Sequence, residues 1–287
     1  MEGSDRTARD FQPTETRWTS ERLQAELVDA CRREPYKRGI VPFEQLPHVL
    51  EVGDAVHAAT ACVRGSAIDG KERGVSMFYD PLTKKMALER EVRVGDERTV
   101  SFISFPSLNE TELHRRLRQM PPDRAAFLSH ALFALTIMGP EEKLADRLTA
   151  ILAENTAYGA LFREAIPRIV GNVHSHPVPM PVSYVDIATF LSQPSIKQMT
   201  VGLSDGRVEM LLKTTDTTVF AENELKQKME GWRVVLETRV HDASPKNHEQ
   251  WFDYNFRAQR ALARSIAIKH KIGYFAGEPN ADLKRIV

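Results

Sequence analysis

The chain has 287 residues, 42% of them apolar, with 39 basic side chains balanced by 39 acidic ones. That length allows one large domain or two small ones, and a net charge of zero removes any global electrostatic case for nucleic acid or a membrane surface as partner. Its two cysteines, Cys31 and Cys62, are too few for a disulfide framework or a zinc knuckle and fit a reducing compartment.

The first ten residues contain no apolar core of a secretory signal, and no apolar run approaches the length needed to span a bilayer, so a cytoplasmic protein is expected. Residues 1–18 are polar and aperiodic, which predicts a disordered tail. Leu23, Leu27, Ala30 and Cys31 recur at helical spacing ahead of Pro35 and predict a helix over 20–34. A linker rich in glycine and proline follows to Pro47. Val49, Val52, Val56, Ala59 and Val63 predict a second helix over 49–63, broken by the glycines from Gly65 to Gly70. Residues 72–79 alternate as a strand, 80–84 form a turn, and 86–94 and 99–105 read as further strands of an antiparallel meander.

From 107 to 167 the pattern is helical. Asn109 and Glu112 make a capping box, Pro122 suits a first helical position, and Leu144, Leu148, Ile151 and Leu152 form an apolar stripe. This block reads as a helical insertion that could cover the sheet, gate a cleft or recruit a protein partner. His114 and His130 lie on separate helices within it and read as structural. Residues 168–173 predict a buried strand and 183–191 a short helix with Ser183 as its N-cap. A hairpin is expected over 197–203 and 207–213, then a strand over 217–220. Helices are expected over 224–239 and 247–271, the second with Trp251, Phe252, Phe256, Leu262 and Ile266 available for burial. The tail at 272–276 reads as an edge strand or a docked end.

The chemistry concentrates in the run from Gly171 to Asp186. His174 and His176 are two apart on a strand and so present both imidazoles to one side. Asp186 lies one helical turn beyond Ser183, and both can face the strand end. Two nitrogens and one carboxylate oxygen make a three-ligand site with room for water, the pattern of catalytic zinc. Pro177, Pro179 and Pro181 stiffen the connection.

His-Ser-His-Pro followed by Ser-Tyr-Val-Asp resembles the signature of the JAMM (MPN+) metalloprotease family, in which H-x-H is followed after seven residues by S-x-x-D. Here only six residues separate His176 from Ser183, one fewer than in that pattern. The resemblance implies an α/β (α+β) fold, an MPN/JAB-like mixed β-sheet flanked by helices, with this chain's helical insertion and C-terminal helices added to it. It implies Zn²⁺ at His174, His176 and Asp186. The implied activity is that of an isopeptidase or peptidase acting on ubiquitin or ubiquitin-like conjugates. The family's catalytic glutamate precedes a strand and is soon followed by glycine, a placement that Glu72-Arg73-Gly74 fits; Glu89 and Glu91 are competitors. Glu72 would act as general base and Ser183 as hydrogen-bond donor to the oxyanion. The domain is expected over 19–220, with the insertion at about 107–167 and a C-terminal helical extension over 221–287. Other classes are a catalytically silent MPN scaffold, an amidohydrolase-type barrel and a nucleic-acid binder. The late position of H-x-H argues against the barrel, and the charge balance argues against the nucleic-acid binder.

Overall fold

The computed structural model describes residues 16–33, 39–102, 115–116, 118–126, 164–218 and 220–287. Its strands are β1 (Arg17–Trp18), β2 (Val49–Leu50), β3 (Arg73–Asp80), β4 (Lys85–Leu88), β5 (Arg93–Val94), β6 (Arg168–His176), β7 (Gln198–Leu203), β8 (Val208–Lys213), β9 (Ile272–Gly277) and β10 (Leu283–Arg285). The helices are α1 (Ser20–Arg33), α2 (Asp54–Asp69), α3 (Tyr184–Ser192), α4 (Glu222–Asp242) and α5 (His248–Lys269). All the strands join one mixed sheet in the order β1-β2-β10-β9-β8-β7-β6-β3-β4, with β5 also on β3. Among the described residues the fold is therefore mixed α/β, a ten-stranded sheet flanked by helices. Most neighbours are antiparallel; β6 and β7 are parallel, with α3 as the crossover between them.

Alternation along the strands divides the core into two faces. One carries Val75, Met77, Val173, Met210 and Phe275 beneath Leu27 of α1 and Val56 and Ala59 of α2. The other carries Val201, Leu203, Leu211 and Tyr274 beneath Ile187 and Phe190 of α3, Leu225 and Leu236 of α4, and Leu262 and Ile266 of α5. Val173, Val201, Leu203, Leu211 and Tyr274 are completely buried. Among the described residues, no helix is long and apolar enough to cross a membrane.

Several elements differ from their sequence expectation. The helix expected over 49–63 starts only at Asp54, because Val49 and Leu50 pair with both β1 and β10. It then runs through Gly65 and stops at Gly70, whose left-handed backbone (φ 70°) ends it. The strand expected over 86–94 is split into β4 and β5, which lie along the same side of β3. Glu89 sits at the break: its N–H donates to the Ser76 carbonyl (2.8 Å) and its carboxylate accepts the Ser76 N–H (3.2 Å). Residues 99–102 form no strand, since Thr99 turns back onto Asp96; the rest of that expected strand lies outside the described residues. Thr217 and Thr218 form no strand either. The Thr217 hydroxyl is engaged with the Lys271 carbonyl (2.9 Å) and the Thr214 N–H (2.8 Å).

The tail expected at an edge is an interior strand, because β9 pairs with β8 on one side and β10 on the other. Segment 221–287 thus holds the two expected helices and also supplies two strands to the sheet. Trp18, assigned to the tail, is buried on β1, while residues 1–15 lie outside the described set. Trp251 is 42% exposed on α5 rather than buried. Most of the helical insertion, with His114 and His130, also lies outside the described residues.

Candidate metal centre

Strand β6 ends at His176, and the chain returns through a short loop into α3, so the motif lies at the carboxyl end of a strand in a parallel β-α-β unit. Open α/β sheets characteristically bind ligands there. His174 pairs in register with Val201, and Val201 with Glu209, so the imidazole projects onto the face covered by α3 to α5. His176, two residues on, shares that face. The imidazole centroids are 5.2 Å apart with their planes inclined at 51°. His174 and His176 are both buried.

Asp186 enters from the first turn of α3. Its placement follows from a capping box: Ser183 Oγ accepts the Asp186 N–H (3.0 Å), while Asp186 Oδ2 accepts the Ser183 N–H (2.8 Å). A cap of this kind contributes about 0.5–2 kcal/mol to a helix. Ser183 Oγ also donates to Asp186 Oδ2 at 2.7 Å, so its single proton is engaged there. Oδ2 is thereby occupied by Ser183, and Oδ1 is the freer oxygen.

His174 Nε2 lies 3.5 Å from Asp186 Oδ1, and His176 Nε2 lies 3.5 Å from Asp186 Oδ2. These contacts are longer than good hydrogen bonds. The two imidazoles thus approach the carboxylate from either side, one at each of its oxygens. One ligand atom from each of the three residues falls within 4.8 Å of the others, and the group could hold a metal ion. His176 Nδ1 is 2.8 Å from the Met180 carbonyl, which fixes the proton on Nδ1 and leaves Nε2 for a ligand. His174 Nδ1 has no hydrogen-bond partner among the described residues.

The charges respond to one another. Burial opposes a proton on His176, but the Asp186 carboxylate outweighs it, with help from the Met180 carbonyl and Glu72, and raises His176 to about 9. Burial likewise works against ionised Asp186, yet the two imidazoles hold its carboxyl well below the usual range. Without a cation, these shifts favour a protonated His176 beside an ionised Asp186. A bound cation must displace that proton.

Glu72 lies two residues before Gly74, the register partner of His174, and so shares the face of both imidazoles. Its backbone is held by Asp96 and Gly95 (2.7 and 2.9 Å). Burial raises the carboxyl above its ordinary value, against the opposing pull of His174 and His176. Glu89, the first competitor, is paired with Arg93 at 2.8 Å and bonded to Ser76, and Glu91 is exposed. Gly74 leaves space for Phe102, whose ring packs edge-on against His174 at 6.0 Å; a Cβ at Gly74 would stand 2.8 Å from that ring. Ser175 points to the opposite face, where its hydroxyl meets Ser66 of α2 at 2.5 Å.

Glu209 was not singled out from the sequence. It is 3% exposed, on the same face as His174, and its Oε2 accepts the Val182 N–H at 2.8 Å. A single glutamate in an apolar strand carries no spacing signal; the only available hint was a charge at a position whose alternation demanded burial. No family model, curated protein or solved structure matches this chain.

Proposed function

We propose that the protein is a zinc-dependent hydrolase of amide bonds, of the JAMM type, acting as an isopeptidase or peptidase on ubiquitin-like conjugates. The observation that carries this reading is the convergence of two imidazole nitrogens and a carboxylate within 4.8 Å of one another, with a second buried carboxylate, Glu72, alongside. The motif resemblance supplies the substrate class.

His174, His176 and Asp186 would hold the ion. When bound, zinc would polarise the amide carbonyl and lower the pKa of water toward about 7. Glu72 takes a proton from the attacking water and returns it to the leaving amine, which cannot depart as an anion. Burial, which raises the Glu72 carboxyl, suits it to carry that proton between the two steps. His176 Nδ1–H keeps donating to the Met180 carbonyl and holds the ring in place. Phe102, edge-on to His174, lines one side of the site. For Ser183 to donate to an oxyanion, its hydroxyl must turn away from Asp186. That engagement favours a second reading, a catalytically silent scaffold in which Ser183 serves only to orient Asp186.

The test joins zinc analysis of the purified protein to cleavage of ubiquitin-like fusions. Wild type is expected to hold one zinc and cleave. Glu72→Gln should keep zinc and lose turnover by about 10²-fold or more, and Asp186→Ala should lose both. Bound zinc without any cleavage, in wild type, would leave the silent scaffold; full turnover by Glu72→Gln would assign the base elsewhere.

A further inference from the structure

We infer that Glu209 is a positioning residue of the metal centre, fixing the loop that delivers Asp186. This rests on the metal-centre reading above and extends it to a residue on a different strand. Prolines at 177, 179 and 181 have no N–H, so the loop from His176 to Ser183 has donors only at Val178, Met180 and Val182. The Met180 N–H turns back to the Val178 carbonyl (2.7 Å). Val182 is completely buried, and its N–H is satisfied by Glu209 Oε2. The next N–H along the chain, that of Ser183, goes to Asp186 itself. Glu209 therefore holds one peptide and the ligand carboxylate holds the next, so any drift at Val182 is passed directly to Asp186.

The loop is tied at two points: to β6 through His176 and the Met180 carbonyl, and to β8 through Glu209. The first tie orients an imidazole and the second orients the carboxylate. Arg260 Nε stands 3.9 Å from Glu209 Oε1, and Tyr274 lies beside the same carboxylate. Through Oε2, Glu209 serves the loop as an acceptor. Removing a residue that orients a metal ligand characteristically weakens metal binding 10–100-fold.

The experiment uses the full chain and the metals alone. Dissociation constants for Zn²⁺ and Co²⁺ are measured by chelator competition, and the visible Co²⁺ spectrum reports the ligand geometry. Glu209→Met fills the same space with no acceptor and is expected to weaken both metals 10–100-fold and alter the Co²⁺ bands. Glu209→Gln keeps an acceptor and should restore wild-type bands with affinity within about threefold. Wild-type affinity and bands in Glu209→Met would overturn the inference while leaving the metal centre standing, as would a Glu209→Gln as weak as Glu209→Met. A wild type that binds neither ion sinks both readings together. If Glu209→Met fails to fold, amide exchange in metal-free wild type decides: slow exchange at Val182 supports the tether, and exchange as fast as at an exposed loop amide overturns it.

Discussion

His176 carries the clearest consequence at the scale of single residues. Its folded value, about 9, lies above the ordinary 6.5, so the metal-free protein gains stability from the protonated imidazole paired with Asp186. That gain is complete below about pH 6.5 and is lost as pH rises through 9; it amounts to at most about 3 kcal/mol. The measurement is urea unfolding of chelator-treated wild type and His176→Gln across pH 6–10. The stability gap between them should narrow from pH 6.5 to 9; a gap that stays level or widens would show that the pair is not charged in the folded state. The convergence of His174, His176 and Asp186 was legible in the sequence because their spacing is itself geometric: i and i+2 on a strand share a face, and Ser-x-x-Asp writes a capping box. Glu209 was illegible because its partner is a backbone N–H two strands and one loop away, and nothing in the order of residues records that meeting.

At the scale of elements, α3 is clamped at both ends. The cap and the Glu209 tether hold its start, while Lys213 Nζ reaches the Gln193 carbonyl (2.5 Å) and Lys197 Nζ the Pro194 carbonyl (2.8 Å) at its end. Both lysines are buried; burial lowers Lys197 to about 8 and Lys213 well below its ordinary value. Behind the site, α2 lies tight against β7 and β6. A Cβ at Gly202 would stand 2.6 Å from Val63 and 2.8 Å from the Ala59 carbonyl. Gly202→Ala should therefore cost about 1–3 kcal/mol in denaturant unfolding, with reduced metal affinity following from any shift of β7 against β6. A cost below about 0.5 kcal/mol would mean the helix can retreat freely. The sequence placed α1, α3, α4 and α5 well, since their apolar spacing or caps are local. It misplaced the start of α2 because Val49 and Val52 fit a helical stripe, whereas the β2 backbone is claimed by strands distant in the chain.

For the molecule as a whole, β6, which carries both histidines, stands between β3 and β7, and the sheet is completed by the last segment. Strands β9 and β10 join β8 to β2, burying Ile272, Tyr274, Phe275 and Leu283. A chain lacking 272–287 is expected to lose its cooperative thermal transition, because β8 and β2 would both be left with unpaired backbone and the core would be opened. A melt with wild-type cooperativity in circular dichroism would show that the rest of the sheet stands alone. The mixed sheet with flanking helices was legible from the alternation of patterns along the sequence. The central place of β9 was not, since a six-residue apolar run near a terminus reads the same at an edge as in the middle.

The closure between β2 and β10 also sets a schedule for synthesis. Val52 donates to Asp282, 230 positions later, and Leu50 faces Leu283 across the ladder. At ribosomal rates of about 5–20 residues per second, β2 waits roughly 10–50 s for its neighbour to emerge. Throughout that interval the β2 edge that β10 covers in the folded protein lacks its partner, and an unpaired strand edge is a template for mispairing. Both histidines and the aspartate have left the ribosome well before then, so the candidate site is written early and steadied last.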